Sequence, residues 1–229
     1  RQGLYGEAGR DYPDNLERFS LFCQAVLEAV PRLGWQPEIV HCHDWQTGLL
    51  CAHLRTSRLH DPRWQAARSV FTIHNLAYQG LFPAEAFRMT GLPPHAFGIH
   101  GVEFYGQLSC LKAGLIYADM LTTVSPTYAG EIQTEEFGCG LEGVLAGRCD
   151  DLVGILNGID PEEWNPRTDP RLRARYSVEK PAGKSLCKLA LQEQARLPQR
   201  HGLLIGMIQR LAEQKGIDVF VQALEELMA

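Results

Sequence analysis

The sequence predicts an α/β protein built on a doubly wound parallel sheet, and three observations predict it. Short apolar runs alternate with longer segments of helical spacing. Each run is continuous rather than alternating apolar with polar, the signature of strands covered on both faces. The residues after each run turn abruptly polar, and open α/β sheets hold their ligands at those carboxyl ends.

Residues 1–14 are rich in Gly and Asp and read as loop. "NLERFSLFCQAVLEAVPRL" has helical spacing, with Leu16, Phe19, Phe22, Cys23, Val26, Leu27 and Val30 on one face. "PEIVHCH" is a short strand ending at His43, and "WQTGLLCAHL" is the helix after it. "SVFTIHN" is the next strand, apolar over residues 70–73. Residues 78 to about 106 form a long loop with a short helix near Ala84. "QLSCLKAGLIYA" is a helix, "DMLTTVS" a strand, and "PTYAGEIQTEE" a helix with Pro126 in its first turn. "LVGILNGID" is a strand running into a turn, "WNPRTDPRL" a breaker-rich connection, and "AGKSLCKLALQEQARL" a helix. Residues 203–208 read as a buried strand and residues 216–228 as a helix. No internal repeat interrupts this order.

The bulk numbers bound the function. With 229 residues, 45% hydrophobic and 21% charged, the chain can bury a real core in one large domain or one and a half. A net charge of −5 argues against a nucleic-acid partner. Seven cysteines without a C-x-x-C pair suit a reducing, cytoplasmic-type compartment, where buried thiols act as small hydrophobes. No apolar run approaches the roughly 20 residues of a membrane span, and no signal peptide is recognisable. The chain opens on Arg1 rather than Met, so its natural N-terminus is expected upstream.

Polar groups collect where a ligand is expected. They are His41, His43 and Asp44 after the first strand, and His74 and Asn75 after the second. Ser125 follows the third, Asn157, Gly158 and Asp160 the fourth, and Arg210 and Lys215 the last. Two cations in a strand-to-helix turn are a common way to hold phosphate; the plain alternative is a solvated surface pair.

Other motifs fail in context. "GCGLEG" matches G-x-G-x-x-G but follows a helical, acidic stretch instead of a strand, so it reads as a turn. "AGKS" would need glycine where Val178 stands to be a P-loop. His41, His43 and His74 have the chemistry of metal ligands, but histidines two apart at a strand end are more often hydrogen-bonded. No G-x-S-x-G elbow is present.

Taken together, "HCHDWQTGL", "FTIHNLAYQG", "LKAGLIYADMLTTVSPTYAGEI", "GCGLEGVL", "GILNGIDPEEWNP", "GKSLCKLALQ" and "QRLAEQKGID" closely resemble the bacterial glycogen synthase and plant starch synthase family. The resemblance implies a GT-B fold, two doubly wound domains facing across a cleft. Residues 1–200 would be the later part of the first, and residues 201–229 the opening strand and helix of the second. It implies transfer of glucose from ADP-glucose to the non-reducing end of an α-1,4-glucan, with retention of anomeric configuration. The family's Lys-Thr-Gly-Gly loop and its later acidic motif ending in Cys-Gly-Leu are absent from this chain.

The same resemblance assigns roles. Arg210 and Lys215 would clamp the leaving diphosphate. His74 would meet the glucose hydroxyls, its alternative being a structural histidine. Asp44 would line the acceptor side, its alternative being a helix N-cap. Trp45 would stack on a sugar or simply pack. Asn157 would contact the donor glucose, although Asn-Gly alone says turn. Tyr5 would reach the site, with Asn75, Tyr105 and Gln107 as lining residues. No metal or other cofactor is implied; the partners are ADP-glucose and the glucan, in the cytoplasm or, for a plant source, the plastid stroma. Two other readings stand beside this one: a non-catalytic glucan-binding piece, and a related transferase with a different sugar-nucleotide donor.

Overall fold

The computed structural model describes residues 3–7, 9–200, 202–211 and 213–228. The chain divides into two compact units, residues 1–158 and 159–229.

The first unit begins with a small hairpin where loop was expected, β1 (Gly6–Glu7) against β2 (Arg10–Asp11). Helix α1 (Asn15–Arg32) buries Leu16, Cys23 and Leu27. Phe22, expected on that face, is 51% exposed, because it lies roughly 120° round the helix from that line. The main sheet follows: β3 (Ile39–His43), helix α2 (Asp44–His60), β4 (Arg68–Ile73). Residues expected as one long loop hold a second, antiparallel sheet. It comprises β5 (Leu81–Pro83), β6 (Glu103–Phe104) and β7 (Gln107–Ser109), in the order β5-β7-β6, with 3-10 turns at Ala84–Thr90 and Pro94–Ala96; β7 takes the first three residues of the segment expected as helix, which starts only at Cys110 because Ser109 caps it. Helix α3 (Cys110–Tyr117), β8 (Met120–Thr123), α4 (Pro126–Glu131), α5 (Glu142–Ala146) and β9 (Leu152–Gly154) complete the unit.

The main sheet is fully parallel, in the order β3-β4-β8-β9, so each strand lies beside its predecessor. One face packs into the core through Val40, Cys42, Phe71, Ile73 and Leu121. On the other face Ile39, His41, His43, Met120 and Val153 are exposed, so the described helices clothe one side of the sheet where cover on both was expected. Helices α2 and α3 cross closely because Gly48 has no side chain: a Cβ there would sit 1.9 Å from the Cys110 carbonyl oxygen. Cys23, Cys42, Cys51 and Cys110 are buried as free thiols, and burial pushes the Cys23 thiol up to about 12.

At the amino ends of the strands, away from the polar cluster, Asp119 ties three elements. Arg58 Nη1 donates to its Oδ1 at 2.8 Å, and the Ser69 amide and hydroxyl donate to its Oδ2 at 2.7 and 2.9 Å. Burial alone would raise the Asp119 carboxyl, but these donors and the Arg58 charge outweigh it and hold the group well below the usual carboxylate range.

In the second unit, residues 160–180 form successive turns. Asp160 Oδ1 accepts from the amides of Glu162 and Glu163 at 2.9 and 3.0 Å, and Asn165 Oδ1 from that of Arg167 at 3.0 Å. Helices α6 (Ala182–Gln194) and α7 (Ile217–Met228) follow as expected. The strand expected over residues 203–208 is not formed. Among the described residues of this unit no strand lies beside the run to pair with it, and Leu203 and Ile208 are 89% and 103% exposed.

Candidate active site

The carboxyl ends of β3 and β4 bring four polar residues together. His43 ends β3 and Asp44 opens α2; His74 follows β4 directly. Neighbouring parallel strands in register set these ends side by side, His43 opposite Thr72. The main-chain N–H of His74 donates to Asp44 Oδ1 at 2.8 Å. His43 Nδ1 lies 3.1 Å from His74 Nε2, a hydrogen bond between the two rings. Below them the His41 ring lies 4.2 Å from that of His43, and His41 Nε2 pairs with Thr72 Oγ1 at 2.7 Å.

Asp44 adopts the left-handed region, φ 53, at the start of a helix. It is not the N-cap: His43 holds that position, and Thr47 Oγ1 closes the turn by donating to the His43 carbonyl at 2.7 Å. The Asp44 carboxylate is thereby freed to reach across to β4, at a backbone cost of about 1 kcal/mol. The His43 ring is pushed down by partial desolvation first and then by His41 and His74, with Asp44 opposing. Its charged form is therefore disfavoured, which suits a hydrogen bond between neutral rings with His74.

The loop after His74 is tied down twice. Asn75 Oδ1 accepts from the Ala77 amide at 3.1 Å, a local turn, and the Leu76 amide donates to the Tyr128 hydroxyl at 3.1 Å. Ser125, read from the sequence as a strand-end residue, caps α4 through its hydroxyl, which accepts from the Tyr128 amide at 2.9 Å. Asn157 is exposed beyond β9.

Trp45 corrects the sugar-stacking alternative. It is 8% exposed, edge-on to Phe19 at 4.9 Å and close to Phe82 at 5.9 Å. One step along a helix turns a side chain by about 100°, which carries Trp45 from the polar end into the core. Tyr5 is 43% exposed, 6.2 Å from Trp45 between ring centres, and flanks the Asp44 end of α2. Tyr105 and Gln107 are exposed on the β6–β7 hairpin. Arg210 and Lys215 lie in the second unit, both exposed. Among the described residues their side chains make no ion pair or hydrogen bond, while the Lys215 carbonyl accepts from Gln209 Nε2 at 3.0 Å.

Sequence reasoning missed Tyr128, Gln79 and Lys112. Tyr128 was recoverable as the third residue after a Ser cap at a strand end. Gln79 and Lys112 sit in a loop and on a buried helix face, where no pattern marks them. Among the described residues no group of three or more His, Cys, Asp or Glu is placed to hold a metal ion, and no helix is long and apolar enough to cross a membrane.

A parallel sheet with polar groups gathered at its carboxyl edge defines an open α/β domain with a ligand site at its strand ends, and the likeness to a starch synthase catalytic domain makes it one of the GT-B class. Residues 1–147 match the family described as the starch synthase catalytic domain. The chain is 51% identical over 228 residues to glycogen synthase 2 of Geobacter sulfurreducens, covering 99% of this chain and 47% of that protein. It is 54% identical over 230 residues to a glycogen synthase of Anaeromyxobacter sp., covering 100% and 48%. It superimposes with a TM-score of 0.86 and 36% identity on the catalytic domain of starch synthase IV from Arabidopsis thaliana bound to ADP and acarbose, covering 100% of this chain and 46% of that one. The chain belongs to the starch synthase catalytic domain family. It spans about half the length of the relatives it matches.

Proposed function

We propose that the protein to which this chain belongs is a retaining glucosyltransferase. It moves glucose from ADP-glucose to the non-reducing end of an α-1,4-glucan, glycogen or starch. The observation that carries the reading is the latch between Asp44 and the His74 amide, formed at a strand-end site in a chain of this family. Departure of ADP from glucose C1 leaves negative charge on the diphosphate and positive charge on the sugar. Groups fixed for that state, and not for the substrate, lower the barrier.

In this reading His74 and Asn157 orient the donor glucose. Asp44, one carboxylate oxygen already engaged, turns the other toward the acceptor hydroxyls or the cationic carbon. Arg210 grips phosphate oxygens bidentately and Lys215 adds a point charge. Residues 201–229 open the second domain, and residues 1–200 belong to the first. Side-chain cations take the place of a metal ion, and no cofactor enters. The bacterial relatives favour a cytoplasmic enzyme making glycogen.

The test is transfer of labelled glucose from ADP-glucose to glycogen by the complete enzyme. Arg210→Ala and Lys215→Ala should each lower turnover by roughly 10²-fold, about 3 kcal/mol in the barrier, with the fold intact. Near-normal turnover in either variant removes that residue from the clamp. Glucan retention with no dependence on ADP-glucose would instead favour the binding-only reading.

A further inference from the structure

The β6–β7 hairpin carries a feature that the latch does not use. Glu103 pairs with Leu108 and Phe104 with Gln107, leaving a two-residue turn of Tyr105 and Gly106. Their φ values are 46 and 79, the pattern of a type I′ turn. The first position of such a turn favours Asn, Asp or Gly; a bulky aromatic there is strained. Tyr105 is also 80% exposed, so its ring contributes little to the core.

Strain of this kind persists only where the surroundings enforce it. Here they do. The Gly106 amide donates to Glu103 Oε1 at 2.7 Å, closing the turn. Lys112, 4% exposed, donates from Nζ to the carbonyls of Glu103 and, at 2.8 Å, Ile99. The Phe104 ring stands edge-on to Tyr105, 4.7 Å between centres and 88° between planes. Both rings lie over Gly140, where a Cβ would fall 3.0 Å from Phe104 and 3.3 Å from Tyr105. That glycine's loop is bound to the loop behind His74, because Gln79 Nε2 donates to the Cys139 carbonyl at 2.9 Å. The Gln79 side chain is buried. The backbone that carries this solvent-facing phenol is thus fixed, and its hairpin is tied through Gly140 and Gln79 to the loop that follows His74.

We infer that Tyr105 is a stacking platform for a pyranose ring of the glucan acceptor, one lying beyond the sugar at the reacting end. A pyranose presents a flat C–H face that covers an aromatic ring, and a rim of hydroxyls for neighbours such as the exposed Gln107 amide. A ring on a backbone already fixed, and leaning on Phe104, loses less freedom on binding than one on a mobile loop. This role rests on the glucan-synthase reading above.

The test measures binding of maltoheptaose and of maltotriose to the complete enzyme by calorimetry, alongside the melting temperature. Tyr105→Asn places a favoured residue in the turn, so the fold should hold or gain stability. The preference for maltoheptaose over maltotriose should shrink about tenfold, and Tyr105→Phe should keep it. Three results would overturn the platform. They are an unchanged preference in Tyr105→Asn, a lower melting temperature with loss of both ligands, or weakened ADP binding with glucan binding intact. Transfer from ADP-glucose by the wild-type enzyme, assayed in the same preparation, tests the underlying reading separately. A wild type that binds maltoheptaose through Tyr105 without transferring glucose would sink the synthase reading and leave the platform standing.

Discussion

Asp44 and His74 stand on neighbouring strands' ends, and a single 2.8 Å bond from the His74 amide to the Asp44 carboxylate joins them. The bond uses main chain on one side and a left-handed residue on the other, so it fixes where β4 ends and in which direction the following loop departs.

The first expectation concerns that bond. Asp44→Asn keeps an acceptor and tolerates the left-handed backbone, so stability measured by urea unfolding should fall by less than about 1 kcal/mol. Asp44→Ala loses the acceptor and keeps the strain, and should cost about 1–2 kcal/mol. Equal losses in the two variants would mean that the latch does not hold the loop.

A second expectation is electrostatic. The His43 imidazole should titrate below its ordinary value in an NMR pH series, since desolvation, His41 and His74 all disfavour its charged form. Asp44→Asn removes the one opposing charge and should push it lower; His41→Asn should bring it back up. Because the folded value is depressed, the unfolded chain takes up this proton first. His43 therefore erodes stability as pH falls through about 6.5 toward the folded value. A midpoint at or above 6.5 contradicts the arrangement.

Packing behind the site gives a third. Gly80 has φ 58, and a Cβ on it would lie 2.5 Å from the Trp45 indole. Gly80→Ala should destabilise by about 2–4 kcal/mol, combining overpacking with left-handed strain. Thermal melting within a degree of wild type would show that Trp45 can move aside.

The far end of the sheet supplies a fourth. Asp119 faces Arg58, whose side chain is only 10% exposed. Asp119→Ala strands that guanidinium and should cost about 3 kcal/mol. With the folded carboxyl held low, its stabilisation is full above the unfolded value near 4. It is lost progressively as pH drops below that. Acid unfolding of the variant should be shallower than that of wild type over this window.

The main sheet was legible because β3, β4 and β8 are short segments rich in β-branched and apolar residues, each beside a segment of helical spacing; burial on both faces did not follow, since His41 and His43 alternate with the buried Val40 and Cys42. The β6–β7 hairpin was not, since its turn is Tyr-Gly in place of Asn-Gly and carries no recognisable signal. Residues 203–208 show the converse: a run with strand composition and no neighbour to pair with stays unpaired. Within the site, His74 and Asp44 could be found by position alone, at the ends of strands. Trp45 could not be assigned, because whether a helix residue beside a strand end faces ligand or core depends on a rotation that sequence does not specify. Tyr128 reaches the loop after β4 through its hydroxyl from the helix that follows the neighbouring strand β8, a contact made by tertiary geometry alone.

The order β3-β4-β8-β9 also has a kinetic meaning. Each strand emerges from synthesis next to the one that preceded it, so the sheet can grow by accretion at a single advancing edge. No strand must be threaded between two already joined, and every crossover closes over the helix just made. A chain halted after β4 would already hold the two strand ends that carry His43, Asp44 and His74. Pairing of β3 with β4 is thus the single step that brings these polar residues together.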